Sequence, residues 1–230
     1  MEKKCINLFV FIFIIIYLVL GLFKLPCYAE VTFTDASVEA GVDYTPVLTW
    51  GCNFVDINGD GYMDIFIDNH YMGNPYLYIN NGSGGFSEEA SLYGLLRADI
   101  VAPGQTDDDF HGSAWGDFDN DGDQDVYIAL GFGGGYRPEP KHNHLMRNDG
   151  SAFVDIAVEA GVSDETGRGR TPMWVDYDND GYLDLFVTNL RNQNSTSPPC
   201  QLFKNNGDGT FTDVTHRAGV EGQGWGFGLL

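Results

Sequence analysis

Short apolar runs rich in β-branched and aromatic residues alternate along the chain with clusters of Asp, Asn and Gly. The clearest runs are Ile65–Ile67, Val126–Ile128 and Leu185–Val187. Runs of this length and type predict strands, because a helix needs a longer stretch with helical periodicity. Since apolar residues occupy both faces of the runs, we expect the strands to be buried on both sides.

Each run belongs to a repeated unit of four predicted strands, here called a to d. Strand a contains an aromatic residue, strand b is the run described above, and strands c and d are joined by an Asn-Gly or Asp-Gly turn. Such turns tolerate the positive φ of a tight hairpin. In the first unit, strands a and c are predicted at 53–55 and 77–79, and strand d starts at Phe86. In the second unit, strands a and c are predicted at 114–116 and 145–147, and strand d starts at Phe153. In the third unit, strands a and c are predicted at 173–175 and 202–204, and strand d starts at Phe211. Four antiparallel strands in each repeat are typical of a β-propeller blade.

The sequence therefore predicts an all-β fold with about three propeller blades, at residues 43–95, 96–162 and 163–220, and the start of a further blade at 221–230. A lone copy of strand d, with Phe33, Asp35 and Gly41 at the offsets found in the repeats, predicts an orphan N-terminal strand. Such a strand would complete the last blade of a ring.

The repeat spacing also predicts that the chain is a fragment. The distance from Gly41 to Asp56 recurs from Gly161 to Asp176, and the same distance from the last repeated Gly places a further Asp loop beyond residue 230. Propellers close with about four to eight blades. We therefore expect a truncated propeller whose blades form an open arc.

An Asp-rich loop of nine residues lies between strands a and b of each unit, and the three loops start 61 and 59 residues apart. Calcium prefers six to eight oxygen ligands, and a Gly at position 6 of each loop allows the chain to turn sharply. We predict that positions 1, 3, 5 and 9 bind through side chains and position 7 through its backbone carbonyl. These residues are Asp56, Asn58, Asp60, Asp64 and Tyr62; Asp117, Asp119, Asp121, Asp125 and Asp123; and Asp176, Asp178, Asp180, Asp184 and Tyr182.

Two alternatives to a calcium site differ in what they require of these loops. An EF-hand requires Glu at position 12, where this chain has Ile67, Ile128 and Val187, and the flanking segments are strands. Turns without a metal remain an alternative, although three matched sets of carboxylates would repel one another without a cation. Calcium is favoured over magnesium by the number of protein oxygens, and zinc is disfavoured because the loops contain no Cys or His. The predicted cofactor is thus Ca²⁺ at about three sites, with a stabilising role.

The three loops, together with the segments Phe211–Val220, Phe33–Val42 and His111–Asp117, resemble the FG-GAP (VCBS-type) repeats of integrin α-subunit propellers. Within that family they look most similar to the cartilage acidic protein and ASPIC/UnbV group. The resemblance covers about residues 31–230, and it implies a propeller of about seven blades, calcium in the a–b hairpins and an extracellular binding role. The chain is too short for such a ring and shows no segment like the C-terminal ASPIC/UnbV region.

Residues 1–29 have the pattern of a signal peptide, with Lys3 and Lys4 before an apolar run at 5–23 and Cys27-Tyr28-Ala29 at a potential cleavage site. The alternative is an uncleaved membrane anchor formed by residues 5–23. Either way we expect residues 30–230 to be secreted, periplasmic or cell-surface. Cys52 and Cys200 lie in different repeats, so a disulfide is possible but not implied.

The net charge of the chain and the length of its connections restrict the functions that it can have. A net charge of −21 argues against nucleic-acid partners. Long connections on a rigid scaffold favour a non-enzymatic adhesion or recognition role with a protein or glycan partner. The alternative is an accessory or catalytic part of a larger exported enzyme, such as a polysaccharide lyase. The five His residues are scattered along the sequence, and a solvent-exposed or turn-packing role is favoured over a metal or acid–base role for each, apart from a weak indication of zinc at His142 and His144.

Overall fold

The computed structural model describes residues 32–42, 48–70, 75–95, 109–131, 142–150, 152–165, 167–190 and 200–222. Within them, twelve strands form three four-stranded antiparallel sheets, each with its strands in chain order. Blade 1 consists of β1 (Leu48–Val55), β2 (Asp64–His70), β3 (Tyr76–Asn80) and β4 (Phe86–Glu88). Blade 2 consists of β5 (Phe110–Gly116), β6 (Asp125–Leu130), β7 (His144–Asn148) and β8 (Phe153–Asp155), and blade 3 of β9 (Gly169–Val175), β10 (Asp184–Asn189), β11 (Cys200–Asn205) and β12 (Phe211–Asp213). The prediction of an all-β fold built from open, propeller-like blades is confirmed.

The orphan N-terminal strand is not observed. The chain divides into two compact units, residues 1–36 and 37–230, and residues 32–36 of the first unit form neither strand nor helix. A strand needs a neighbour for its backbone N–H and C=O groups, and each of the three described sheets already has its own fourth strand. The predicted leader at residues 1–29 lies outside the described residues.

Three single helical turns were not predicted: α1 (Ser37–Ala40), α2 (Ala157–Ala160) and α3 (Thr215–Ala218). Gly161 and Gly219 end α2 and α3 in the left-handed conformation, with φ of 80° and 71°, and their N–H groups donate to carbonyls of the turn. This is the reason for the Gly that recurs at a fixed distance after each strand d. In the part of the chain that the structure describes, no helix is long and apolar enough to cross a membrane.

The prediction that strands are buried on both faces is correct for the second strand of each blade but not for the first strand. Every residue of β6 is buried, and β2 and β10 are buried at all but one position each. On β1 and β9, however, Phe54 is 66% exposed and Met173 40% exposed. Successive side chains of a strand point to opposite faces of its sheet, so these residues mark a face of the first strand that remains partly exposed.

The blades pack side by side through their first strands. β1 lies against β5, and β5 lies against β9. Trp115 packs edge-on against Phe66, with 5.2 Å between ring centroids, and Trp174 stacks on Phe118 at 6.0 Å. The aromatic residue that precedes each of the last two Asp loops therefore fixes one blade to the next, and the three loops extend from the same ends of three neighbouring blades.

Candidate metal centres

The first Asp of each loop is held in place by the backbone of its own loop. Asp56 accepts hydrogen bonds from the N–H groups of Asp60 at 3.1 Å and Gly61 at 2.9 Å, one on each carboxylate oxygen. The equivalent bonds recur at 3.0 Å and 3.0 Å on Asp117 and at 3.1 Å and 3.1 Å on Asp176. The three loops thus share one geometry, as their common spacing predicted.

Two positions in each loop have left-handed backbone. The predicted Gly at position 6 does so, with φ of 87°, 99° and 90° at Gly61, Gly122 and Gly181. Position 4 does so as well, with φ of 70°, 62° and 59° at Gly59, Asn120 and Asn179. Gly and Asn are the residues that adopt this conformation at least cost. Left-handed backbone at position 4 was not predicted from the sequence, although the presence of Gly or Asn at that position in every loop indicated it.

The Asp at position 9 connects each loop to the third strand of its blade. Asp64 is fully buried and accepts the N–H of Ile57 at 3.0 Å and that of Asn80, the last residue of β3, at 2.8 Å. Asp125 and Asp184 repeat both bonds, to Phe118 at 3.2 Å and Asn148 at 2.8 Å, and to Tyr177 at 3.1 Å and Asn205 at 2.8 Å. Each carboxylate oxygen has two lone pairs, so an oxygen that accepts one of these hydrogen bonds can still coordinate a cation.

An Asn at the end of the third strand supports each loop and was not predicted as a site residue. The Asn205 amide donates to the carbonyl of Leu183 in its own loop at 3.0 Å and to that of Phe118 in loop 2 at 2.9 Å. Asn80 and Asn148 make the equivalent bond to their own loops, to Met63 at 2.9 Å and Gln124 at 3.3 Å. The recurring Asn before each hairpin turn was a signal for this role.

Carboxylates at positions 1, 3 and 9 converge in loops 2 and 3. Each residue of the two groups offers an oxygen within 4.8 Å of the others; the groups are Asp117, Asp119 and Asp125, and Asp176, Asp178 and Asp184. Loop 1 has Asn58 at position 3, whose amide donates to Asp60 at 3.1 Å. At position 5, one carboxylate oxygen accepts the backbone N–H of position 7 in the same loop. The distances are 2.8, 2.9 and 3.1 Å for Asp60, Asp121 and Asp180. Binding by the carbonyls of Tyr62, Asp123 and Tyr182 stays a prediction.

The electrostatics of loop 2 favour a bound cation. The pKa of Asp125 is raised to about 7, chiefly by burial, and the neighbouring carboxylates of Asp119 and Asp121 contribute to the increase. Burial likewise raises the pKa of Asp119, with Asp121 adding to the effect. A divalent cation would offset this accumulation of negative charge.

Loop 3 differs because it has a cation of its own. The Lys204 ammonium forms ion pairs with Asp178 and with Asp180, the latter at 2.6 Å. The hydrogen bond from Lys204 lowers the pKa of Asp180. In blade 2 the corresponding Arg147 binds Asp149, outside the loop, at 2.8 Å. In blade 1 the corresponding residue is Ile79. Among the three loops, only loop 3 therefore has a Lys side chain that forms ion pairs with two predicted ligands.

The His residues that are scattered in sequence come together in two clusters. One contains His70, Asp109 and His111, and the other His142, His144 and Asp155. The fifth, His216, is exposed and pairs with Glu221 at 2.6 Å. The first cluster was missed because its members come from two blades. Most of the long connections expected to bind partners lie outside the described residues, and both Cys52 and Cys200 are free thiols.

The FG-GAP-like repeat matches this chain three times, over residues 56–128, 117–187 and 176–229. Each match starts at the first Asp of a loop whose geometry is described above. The chain belongs to the FG-GAP-like repeat family. The family assignment made from the loops is therefore confirmed.

Curated relatives of this FG-GAP-like repeat chain include cartilage acidic protein 1. The mouse protein is 28% identical over 183 residues, which is 76% of this chain and 25% of the relative. The human protein is 27% identical over 188 residues, with the same coverage of 76% and 25%. The predicted similarity to the cartilage acidic protein group is confirmed, and the chain spans about a quarter of the length of these relatives.

Proposed function

We propose that this protein is an exported scaffold that binds one Ca²⁺ in each of its three Asp loops and recognises an extracellular protein or glycan without catalysing a reaction. The observation that supports it best is the threefold repetition of one loop geometry. In each copy the position 1 carboxylate is held by two backbone N–H groups, and the position 9 carboxylate is buried and oriented by two more.

The donor set favours calcium over other metals. The predicted ligands are carboxylate, amide and carbonyl oxygens, which suit a hard cation with a high coordination number. No imidazole or thiolate lies within the three nine-residue loops, and these are the ligands that zinc prefers. Loop 2, with five Asp at the predicted positions, offers the greatest negative charge.

Calcium would stabilise the blades through the position 9 Asp. A ligand that binds the folded state alone stabilises it by about 2.7 kcal/mol when its free concentration is a hundred times Kd. The ion would link position 1, at the end of the first strand, to position 9, which is bonded to the end of the third strand. Removal of the metal would therefore loosen three strands of a blade together.

The calcium part of the proposal is tested by thermal unfolding of residues 30–230 in excess Ca²⁺ and in excess EGTA. We expect the midpoint to be higher in Ca²⁺, and the difference to shrink in Asp117→Asn. The matched control is Asp149→Asn, outside the loops, which should keep the full difference. A midpoint that is the same in Ca²⁺ and EGTA would contradict the proposal.

Recognition has a candidate surface at the junction of blades 1 and 2. A cavity of about 470 Å³ lies beside the first two loops and is lined by residues of both loops and by apolar residues of the strands before them. Among its lining residues, Phe54 and Met63 are largely exposed on the surface. Exposed apolar side chains beside polar groups are characteristic of binding surfaces.

The recognition part is tested by screening the calcium-loaded chain against arrays of extracellular proteins and glycans. Phe54→Ser is the variant, and Val154→Ser, exposed on β8 of blade 2, is the control. We expect binding that falls in Phe54→Ser and is kept in Val154→Ser. Turnover of a polysaccharide by the same preparation would instead support the enzymatic alternative.

A further inference from the structure

A second group of metal-binding side chains lies at the ends of strands opposite the Asp loops. His70 is the last residue of β2 in blade 1, whereas the Asp loop meets β2 at its first residue, Asp64. Asp109 directly precedes β5 in blade 2, and His111 is the second residue of β5, whose far end leads into loop 2. The cluster therefore joins two neighbouring blades.

Three donor atoms of this cluster meet at one point. His111 Nε2 lies 2.8 Å from Asp109 Oδ1 and 3.0 Å from His70 Nδ1. His70 Nδ1 is also in contact with the same Asp109 oxygen. All three residues are buried, so water cannot freely solvate them.

Hydrogen bonds join the three atoms only with compromise. Because one carboxylate oxygen can accept two N–H groups, both rings can donate to Asp109 Oδ1, but their two N–H groups then lie side by side, with the nitrogens 3.0 Å apart. If one ring nitrogen lacks its proton, the N–H of the other ring is shared between that nitrogen and the carboxylate oxygen. A cation beside the three atoms lets each of them direct a lone pair toward it.

Gly131 lies directly beside the donor atoms. A Cβ at this position would lie 2.3 Å from His111 Nε2 and 2.5 Å from Asp109 Oδ2, so only Gly allows the backbone to approach them this closely. The Gly131 N–H donates to the Asp109 carbonyl at 2.7 Å, which fixes the two segments together. On another side, the Trp50 ring lies 5.0 Å from the His70 ring and 5.1 Å from the His111 ring.

We propose that His70, Asp109 and His111 bind a divalent transition metal of the zinc class at the junction of blades 1 and 2. Two imidazoles and a carboxylate are a donor set typical of zinc and disfavoured by calcium. Three protein ligands leave a further position for water or for a donor from a partner. The site is separate from the Asp loops and does not depend on their occupancy.

The other His cluster serves as an internal comparison. His144 Nδ1 lies 2.7 Å from Asp155 Oδ2, but His142 Nε2 lies 3.5 Å from that oxygen. All three residues belong to blade 2, and Asp155 also accepts the N–H of Ala157 at 3.1 Å. We assign this cluster to local ion pairing, so its removal should not affect zinc binding at the blade junction.

Zinc titration in excess Ca²⁺ tests the proposal, because Ca²⁺ keeps the Asp loops occupied. Chelator-stripped residues 30–230 are titrated with Zn²⁺ by calorimetry and with Co²⁺ by visible absorption. We expect one Zn²⁺ per chain and Co²⁺ bands that report imidazole ligands. His70→Ala and His111→Ala should each weaken Zn²⁺ binding by more than about 100-fold, whereas His216→Ala and His144→Ala should bind as the unmodified chain does.

Two further variants keep the test decisive if an Ala variant fails to fold. Asp109→Asn keeps the size of the side chain and removes its charge, and Gly131→Ala keeps all three ligand residues but displaces the His111 ring and the Asp109 carboxylate with its added Cβ. Both should lose Zn²⁺ while keeping the stabilisation by Ca²⁺. The proposal is overturned if the unmodified chain binds no Zn²⁺ in excess Ca²⁺, or if His144→Ala abolishes binding and His111→Ala does not.

Discussion

Lys204 distinguishes loop 3 from the other two loops. Its ammonium contacts two predicted ligands, and the hydrogen bonds that it donates to Asp178 and Asp180 raise the pKa of Lys204 well above its usual value. A calcium ion that binds loop 3 must displace this ammonium from both carboxylates. Because the ion pairs are exposed to solvent, the competition should be moderate.

Replacing Lys204 should therefore strengthen calcium binding to loop 3. We expect Lys204→Met to raise the affinity of that loop by about two- to fivefold, measured by titration of a chain in which loops 1 and 2 carry Asp56→Asn and Asp117→Asn. The matched control, Arg147→Met in a chain with only loop 2 intact, should change affinity little, because Arg147 binds Asp149 outside the loop. Equal affinities with and without Lys204 would rule out this competition.

Positions 1 and 3 of a loop should respond differently to loss of charge. Asp117 uses both oxygens to accept backbone N–H groups, and an Asn could accept only one of them. Position 3 already tolerates an amide in loop 1, where it is Asn58. We expect Asp117→Asn to weaken calcium binding to loop 2 by more than about 100-fold and Asp119→Asn by about tenfold, as measured by titration of loop 2 alone. Equal losses would show that position 1 has no special role.

The sequence predicted the loop residues better than their supports. Positions 1, 3, 5 and 9 are repeated at fixed spacing within nine residues, so a local pattern reveals them. Lys204 lies on a strand outside the loop, and His70 and His111 meet only when two blades pack together. Pairing across strands and blades is not encoded in local spacing, and these residues could not be grouped from the sequence alone.

In blade 3, a buried Asn connects the hairpin of the third and fourth strands to the Asp loops by hydrogen bonds. Asn205 donates to carbonyls in loops 2 and 3 and accepts the N–H of Gly207 at 2.9 Å. It therefore connects blade 3 to blade 2 as well as to its own loop. Loss of the side chain would leave buried carbonyls without their donors.

Asn205→Ala should lower the free energy of unfolding by about 1–3 kcal/mol, the usual cost of leaving buried polar groups unsatisfied. The adjacent Asn206 is exposed and donates to Thr210 at 3.0 Å, so Asn206→Ala should stay within about 0.5 kcal/mol of the unmodified chain. Urea unfolding monitored by tryptophan fluorescence gives both values. If the two variants are equally stable, the Asn205 amide does not contribute as we infer.

The strands were well predicted, and the helical turns were not. Strands b, c and d fall on the apolar runs and hairpin turns that the sequence displays. The turns α2 and α3 are four residues long, too short for a helical period to appear. The Gly that ends each turn was visible, but its left-handed conformation depends on the preceding turn.

At the scale of the whole molecule, the first strands of blades 2 and 3 approach closely through a glycine. A Cβ at Gly112 of β5 would lie 2.4 Å from the backbone carbonyl oxygen of Arg170 on β9. Real Cβ atoms do not approach backbone this closely, so any other residue would push the blades apart. The spacing of the blades is thus set by backbone contact as well as by the aromatic residues.

Gly112→Ala should therefore destabilise the packing of blades 2 and 3 by about 1–3 kcal/mol, the typical cost of overpacking. The measurement is the urea midpoint in excess Ca²⁺, so that metal occupancy does not vary. Gly150→Ala is a useful comparison, because its added Cβ would meet only an Asp123 oxygen, at 3.5 Å, and any cost there comes from its φ of 77°. An unchanged midpoint for Gly112→Ala would contradict the contact.

Repeat spacing predicted the blade architecture, but it could not place the segment at Phe33. The offsets of Phe33, Asp35 and Gly41 match strand d, and the turn before Gly41 does form as α1. A strand, however, depends on a partner strand, and a sequence pattern contains no information on whether that partner is present.

If the three Asp loops are calcium sites, calorimetric titration of chelator-stripped residues 30–230 with Ca²⁺ should give their number. We expect three ions per chain, with two in Asp117→Asn and three in the Asp149→Asn control. Binding of no Ca²⁺, or an unchanged stoichiometry in Asp117→Asn, would contradict this assignment.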